Sequence, residues 1–230
     1  MTGRGGEVEG SGPDESPVGE ELPFLLPVPP GLELHSVLAH DELAEWIGPM
    51  LSRWNVWTAL WKVASFGGLL ALGALGGWFV AAGVIGVGAL LLQVGLGLVG
   101  ALLLVAPHEA LHALAYRWVG ARNVGFGADW RRLVFHCTAH GFVADLPAFR
   151  RVALLPCVTV TGAALGAALL VPVEWILLPL TLVVAHFTFC AGDFALLGYL
   201  HDHREQGMQT VDDVESGTTA FLVETAEANG

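Results

Sequence analysis

From residue 63 to residue 107 the chain carries no ionisable side chain. A water-solvated surface is thereby excluded for this stretch, which is long enough for two membrane spans of about 20 residues each with a Gly-rich turn between them. Lysine is nearly missing too: Lys62 is the only one among ten basic residues, against 22 acidic residues and a formal net charge of −12. Most of the acids lie in the two tails, which reads as solvated, flexible ends and offers no basic face for nucleic acid. Three cysteines, Cys137, Cys157 and Cys190, are an odd number, and the last two fall inside apolar runs, so a disulfide framework is not expected. They read as core thiols. The first 21 residues lack a basic segment followed by an apolar one, so no cleavable signal peptide is expected and the first span serves as the insertion signal.

What the chain does have is apolar surface. Hydrophobic residues make up 54% of it and charged residues 14%, and the mean hydropathy is +0.61. Spans are expected near 58–80, near 84–106 with the helix running on to 119, near 152–171 and near 175–200. The fold class expected is an all-α integral membrane protein: four transmembrane helices with a small cytoplasmic β-hairpin-like insertion between helices two and three. The insertion, 120–150, takes its strands from Val124, Phe126, Leu133, Phe135 and Phe142, punctuated by Gly and Asp-Trp.

Around this membrane domain (58–200) lie a disordered acidic and Pro-rich tail (1–35, with a linker at 22–30), an interfacial segment (36–57) and an acidic tail (201–230). A surface helix is expected over 36–53, with Trp46, Trp54, Trp57 and Trp61 either at headgroup level or packed on protein. Glycines 67, 68, 73, 76 and 77 permit close helix contact. The tail acids Asp212 and Asp213 are expected to be indifferent to metal and activity.

Basic residues set the expected orientation. Six of the ten, Arg117, Arg122, Arg131, Arg132, Arg150 and Arg151, lie between spans two and three; Arg4, Arg53 and Lys62 precede span one, and Arg204 follows span four. Positive-inside bias then puts both termini and the middle loop in the cytoplasm, with the chain multi-pass in the cell membrane.

His108-Glu109-Ala110-Leu111-His112 closes the longest apolar run. On a helix, histidines at i and i+4 share one face about a turn apart, close enough to clamp one zinc ion, with a carboxylate beside them to act as base. Roughly 0.02 such pentads are expected per shuffled chain of this composition, so the motif is specific. A catalytic zinc needs a third protein ligand and an open position. Asp193 is the candidate, being the only acid inside the spans after Glu109, at a depth within about 10 Å of His108 when rise per residue is counted.

The pentad, the Gly120-Ala-Arg-Asn-Val-Gly-Phe126 segment, Leu155-Pro156 and Gly192-Asp193 together resemble the zincin membrane peptidase family related to the site-2 proteases, over roughly residues 100–223. The resemblance implies a polytopic zinc metalloprotease with metal ligands His108, His112 and Asp193, catalytic Glu109, and a membrane protein or peptide as substrate. Span four departs from the site-2 pattern: it has no Asn and reads Gly-Asp, not Asp-Gly.

Weaker readings concern other histidines. His186, almost on the face of Asp193, is a candidate donor to the tetrahedral intermediate or an interhelical hydrogen-bonder. His136 to His140 reads as a surface hairpin with ordinary histidines, and Tyr116-Arg117-Trp118 as an interfacial anchor. Two rival functions are a bis-His haem cytochrome using His112 and His186, and a scaffold whose zinc only ties spans two and four together.

Overall fold

Local sequence signals start and stop the helices where apolar length requires it. The computed structural model describes residues 24–129 and 134–225; the expected disorder of residues 1–21, together with Arg131 and Arg132, lies outside them. A strand, β1 (Leu32–Ala39), precedes α1 (Leu43–Ser52) and α2 (Val56–Lys62), which passes through a π-helical turn at Val63–Gly67 into α3 (Gly68–Ala81). Asn55 starts α2 with a reciprocal capping box, its side chain accepting from the Thr58 amide and its own amide donating to the Thr58 hydroxyl. α4 (Val87–Leu103) and α5 (Val105–Trp118) run on from one another with a break at Leu104. Pro107 has no N–H to give the preceding turn, which accounts for a break just before the pentad.

The hairpin β2 (Val124–Asp129) and β3 (Val134–Ala139) follows, then the short β4 (Ala144–Asp145), α6 (Leu146–Leu170), α7 (Leu177–Phe189), α8 (Ala191–Asp202), β5 (Gln209–Asp213) and β6 (Thr218–Glu224). Asp145 caps α6, its carboxylate accepting the Ala148 amide at 2.8 Å.

Val56–Ala81, Val87–Trp118 and Leu146–Leu170 are each long and apolar enough to cross a bilayer, and α7 with α8 passes the same test as a pair bent by 46°. The expected four runs are therefore present, the fourth as a broken helix. Of the glycines singled out in the first run, Gly68 meets Val184 and Gly76 meets Leu90, while positions 67, 73 and 77 face open space. The tightest approach between helices lies elsewhere, at Gly97, where a Cβ would stand 2.6 Å from the Thr181 side chain and 2.8 Å from the Leu178 carbonyl.

The chain is mostly helical, not all-α. Two antiparallel sheets are present among the described residues: the expected hairpin β2–β3, and a four-stranded sheet in the order β1-β6-β5-β4. That second sheet corrects the reading of the tails as flexible ends. Residues 32–39 are a strand and only 43–52 of the expected surface helix is helical. The acidic tail folds into β5 and β6, with Ala220 and Leu222 fully buried. The continuous apolar run Ala220–Val223 on β6 is buried on both faces, Phe221 and Val223 in one core cluster and Ala220 and Leu222 in another, which outweighs the nearby acids.

Trp46 belongs to that core, stacked on Phe221 and edge-on to Tyr199. Trp61 donates to the Thr188 carbonyl across the bundle at 3.3 Å. Trp54 alone of the four is widely exposed, with Lys62 over its ring.

Strand pairing also fixes which segments share an end of the bundle. β1 precedes the first two apolar runs, β4 lies between the second and third, and β5 and β6 follow the fourth, yet all are hydrogen-bonded in one sheet. Each pair of helical runs must therefore go out and come back.

Candidate metal centre

His108 and His112 lie one turn apart on α5, both buried. Asp193 reaches them from the first turn of α8, just past the bend at Cys190. The bend turns the start of α8 towards α5 and brings the three predicted ligands to one point. His112 Nε2 is 3.0 Å from His108 Nε2. The Asp193 carboxylate oxygens are 3.2 Å from His112 Nε2 and 3.3 Å from His108 Nε2.

The protons available decide what this arrangement means. His112 Nδ1 is 3.0 Å from the Val152 carbonyl on α6. A carbonyl can only accept, so Nδ1 carries the proton and the neutral ring presents a bare Nε2. His108 Nδ1 lies 3.1 Å from His186 Nε2. If His108 donates there, its Nε2 is bare as well, and two imidazole lone pairs and a carboxylate face one another with no proton among them. Such a cluster needs a cation. Donor atoms around a tetrahedral zinc stand roughly 3.3–3.6 Å apart when the bonds are about 2.0–2.2 Å, so the 3.0–3.3 Å separations match to within a few tenths of an ångström. The residues fit a zinc ion.

Glu109 completes the chemistry. Its Oε2 is buried without a hydrogen-bond partner, and its carboxylate faces the backbone of Cys137 on β3 across the cavity. A cavity of about 140 Å³ joins Glu109 to His108, His112 and Asp193 and is walled on one side by β3 through Phe135, His136 and Cys137. All four predicted site residues thus line one space.

Two other sets have ligand types within reach: His108, Glu109 and His112 share the cavity, while His108, His186 and Cys190 form a second group. In the second group only His108 lines the cavity; His186 and Cys190 do not, and the Cys190 thiol donates to the His186 carbonyl. His186 therefore makes the interhelical hydrogen bond to His108, the second of its two readings, and does not line the cavity where a substrate carbonyl would sit. The geometry does not favour the haem reading: the His108 ring packs against both proposed axial ligands, 4.6 Å from His112 and 5.2 Å from His186 between centroids, and fills the space between them.

Sequence reasoning missed three contributors. Tyr116, read as a surface anchor, is buried and lines the cavity one turn beyond His112; its i+8 spacing from His108 was the available signal. His136 and Cys137, read as ordinary hairpin residues, line it from β3. Burial and then the neighbouring His40 hold the His136 pKa below its usual value, so the ring is neutral at pH 7. Burial, reinforced by Glu109, pushes the Cys137 thiol up to about 12, so it is not a thiolate ligand.

Residues 101–207 match the family model described as "Putative zincin peptidase". The match spans the pentad, the hairpin and Asp193, and it supports a zincin-like metallopeptidase family. No curated protein and no solved structure matches the chain.

Proposed function

We propose that this protein is an integral-membrane zinc endopeptidase related to the site-2 proteases, cutting membrane or membrane-proximal protein substrates at the cytoplasmic face. The observation that carries the reading is the meeting of His108 Nε2, His112 Nε2 and the Asp193 carboxylate beside Glu109, whose Oε2 is buried and unpartnered. Zinc bound there would lower the pKa of water to about 7 and polarise a carbonyl.

The chain's own residues do the rest. Glu109 takes a proton from the attacking water and returns it to the leaving amine, which its unpartnered Oε2 is placed to do. Val152 and His186 hold the two imidazoles in the tautomer that leaves Nε2 bare. The cavity walls restrict water around the reacting carbonyl. Helical peptide bonds are shielded by their own hydrogen bonds, so the substrate presents an extended segment, and a strand edge of the β2–β3 hairpin is the place for it.

Orientation follows from charge and pairing together. β1, β4, β5 and β6 share one end of the bundle with the Arg-rich middle segment, and positive-inside bias makes that end cytoplasmic. Zinc-loaded Glu109→Gln in detergent, assayed on a membrane-tethered peptide, tests the reading: zinc is retained and hydrolysis is lost. Turnover equal to wild type would sink it.

A further inference from the structure

β2 and β3 form a two-stranded ribbon, an arrangement that is marginal in water without support. Their register pairs Phe126 with Cys137 and Val124 with Ala139. Since strand geometry repeats every two residues, the amides of Cys137 and Ala139 leave the same edge of β3, the edge turned away from β2. The Cys137 amide is the one that faces the Glu109 carboxylate, both residues lining the same cavity. The Ala139 amide, about 7 Å further along, donates to Asp212 Oδ2 at 2.9 Å.

Asp212 does more than accept that one bond. Its backbone carbonyl takes the Gly141 amide at 2.9 Å, and a parallel bridge joins it to His140. Its other carboxylate oxygen accepts the Thr219 hydroxyl at 2.8 Å, and Thr219 in turn meets His40 Nε2 at 3.2 Å. Asp212 sits on β5, between β4 and β6, in the sheet built from the chain's two ends. A direct run of contacts therefore leads from that sheet through Asp212 and β3 to the catalytic carboxylate. Slipping β3 by one residue would swap which amides face Glu109, so whatever pins its register also sets the base. The family match stops at residue 207, before β5 begins.

We propose that Asp212 is a positioning residue for Glu109, acting through β3, so that the C-terminal strands are a working part of the catalytic unit. The proposal rests on the peptidase reading above. It also replaces the expectation that Asp212 is an indifferent tail acid.

The test compares Asp212→Ala, Asp212→Asn and Thr219→Val in the full-length, zinc-loaded protein. Zinc content, kcat and KM on a membrane-tethered peptide, and hydrogen exchange at the Ala139 and Gly141 amides are measured together. Asp212→Ala is expected to keep its zinc, exchange those amides faster and lose kcat by roughly 10- to 100-fold, the scale on which small misplacements of catalytic groups act. Asn keeps an acceptor oxygen and the backbone carbonyl, so it recovers most of the rate.

Thr219→Val leaves Asp212 in place but loosens it. Should the alanine variant not fold, a kcat loss in Thr219→Val with zinc retained and faster Ala139 exchange carries the proposal. Asp212→Ala with kcat unchanged overturns it, as does a rate loss that only mirrors lost zinc, or, where the alanine variant does not fold, a Thr219→Val protein as fast as wild type. Wild-type protein that hydrolyses nothing when zinc-loaded defeats the peptidase reading itself, a distinct result.

Discussion

Two aspartates at the same end of the bundle have opposite surroundings. Asp213 is fully buried in the strand sheet, and its oxygens take the amides of Leu25, Glu215 and Ser216. Asp193 remains 17% exposed to the cavity, and the groups that meet it at 3.2 and 3.3 Å are imidazole nitrogens. The first is a carboxylate saturated by donors, which costs little to bury and serves the fold. The second faces lone pairs, an arrangement that favours a bound cation. Both were acids in largely uncharged or tail sequence, and only their partners separate structure from chemistry.

The largest effect in this contrast belongs to neither aspartate. Glu109→Gln should retain zinc and lose hydrolysis altogether, because an amide cannot take the water's proton; metal content and turnover on one preparation check it. Asp193→Ala comes next and should lower zinc occupancy and activity together, by 10-fold or more, since two histidines hold the metal less well than three ligands do. Asp213→Ala is the matched opposite. It should leave zinc in place but cost about 1–3 kcal/mol of stability, as buried amides lose their acceptor, read as a lower Tm with unchanged metal content. Zinc loss in Asp213→Ala, or a lower Tm without zinc loss in Asp193→Ala, would erase the distinction.

The site was more legible in the sequence than the fold around it. The pentad named two ligands and the base because helical spacing alone puts residues i and i+4 on one face, and an acid inside an apolar run marked Asp193. The four apolar runs were legible for the same reason, as length and hydropathy are local properties. β1, β5 and β6 were not, because acids such as Asp212, Asp213 and Glu224 suggest solvent until their partner strands are known. Yet the run from Thr218 to Val223, after Gly217 at φ 69°, carries a strand's composition. The roles of His186 and His136 depend on which helices and strands meet. No local spacing records that.

Two smaller effects sharpen the comparison further. His186→Phe keeps the ring volume but frees His108 Nδ1, so zinc affinity should fall by about 10- to 100-fold while the Tm of the metal-free protein changes little; competition with a chelator measures it. The other effect concerns acid. Burial works against ionisation of Asp213, but the Leu25 and Ser216 contacts prevail and hold its carboxyl below the usual range. Its contribution is then complete above the unfolded value near about 4 and is lost as the pH falls through the lower folded value. The Tm difference between wild type and Asp213→Asn should therefore narrow below about pH 4. A gap that stays constant from neutral pH into acid contradicts that assignment.

Zinc-edge X-ray absorption on the detergent-purified protein tests the central claim most directly. His108, His112 and Asp193 predict a shell of nitrogen and oxygen at about 2.0–2.2 Å with imidazole scattering and no sulfur. A sulfur at about 2.3 Å would instead place the metal with Cys190 and His186, behind the cavity, and would contradict the catalytic centre described for α5 and α8.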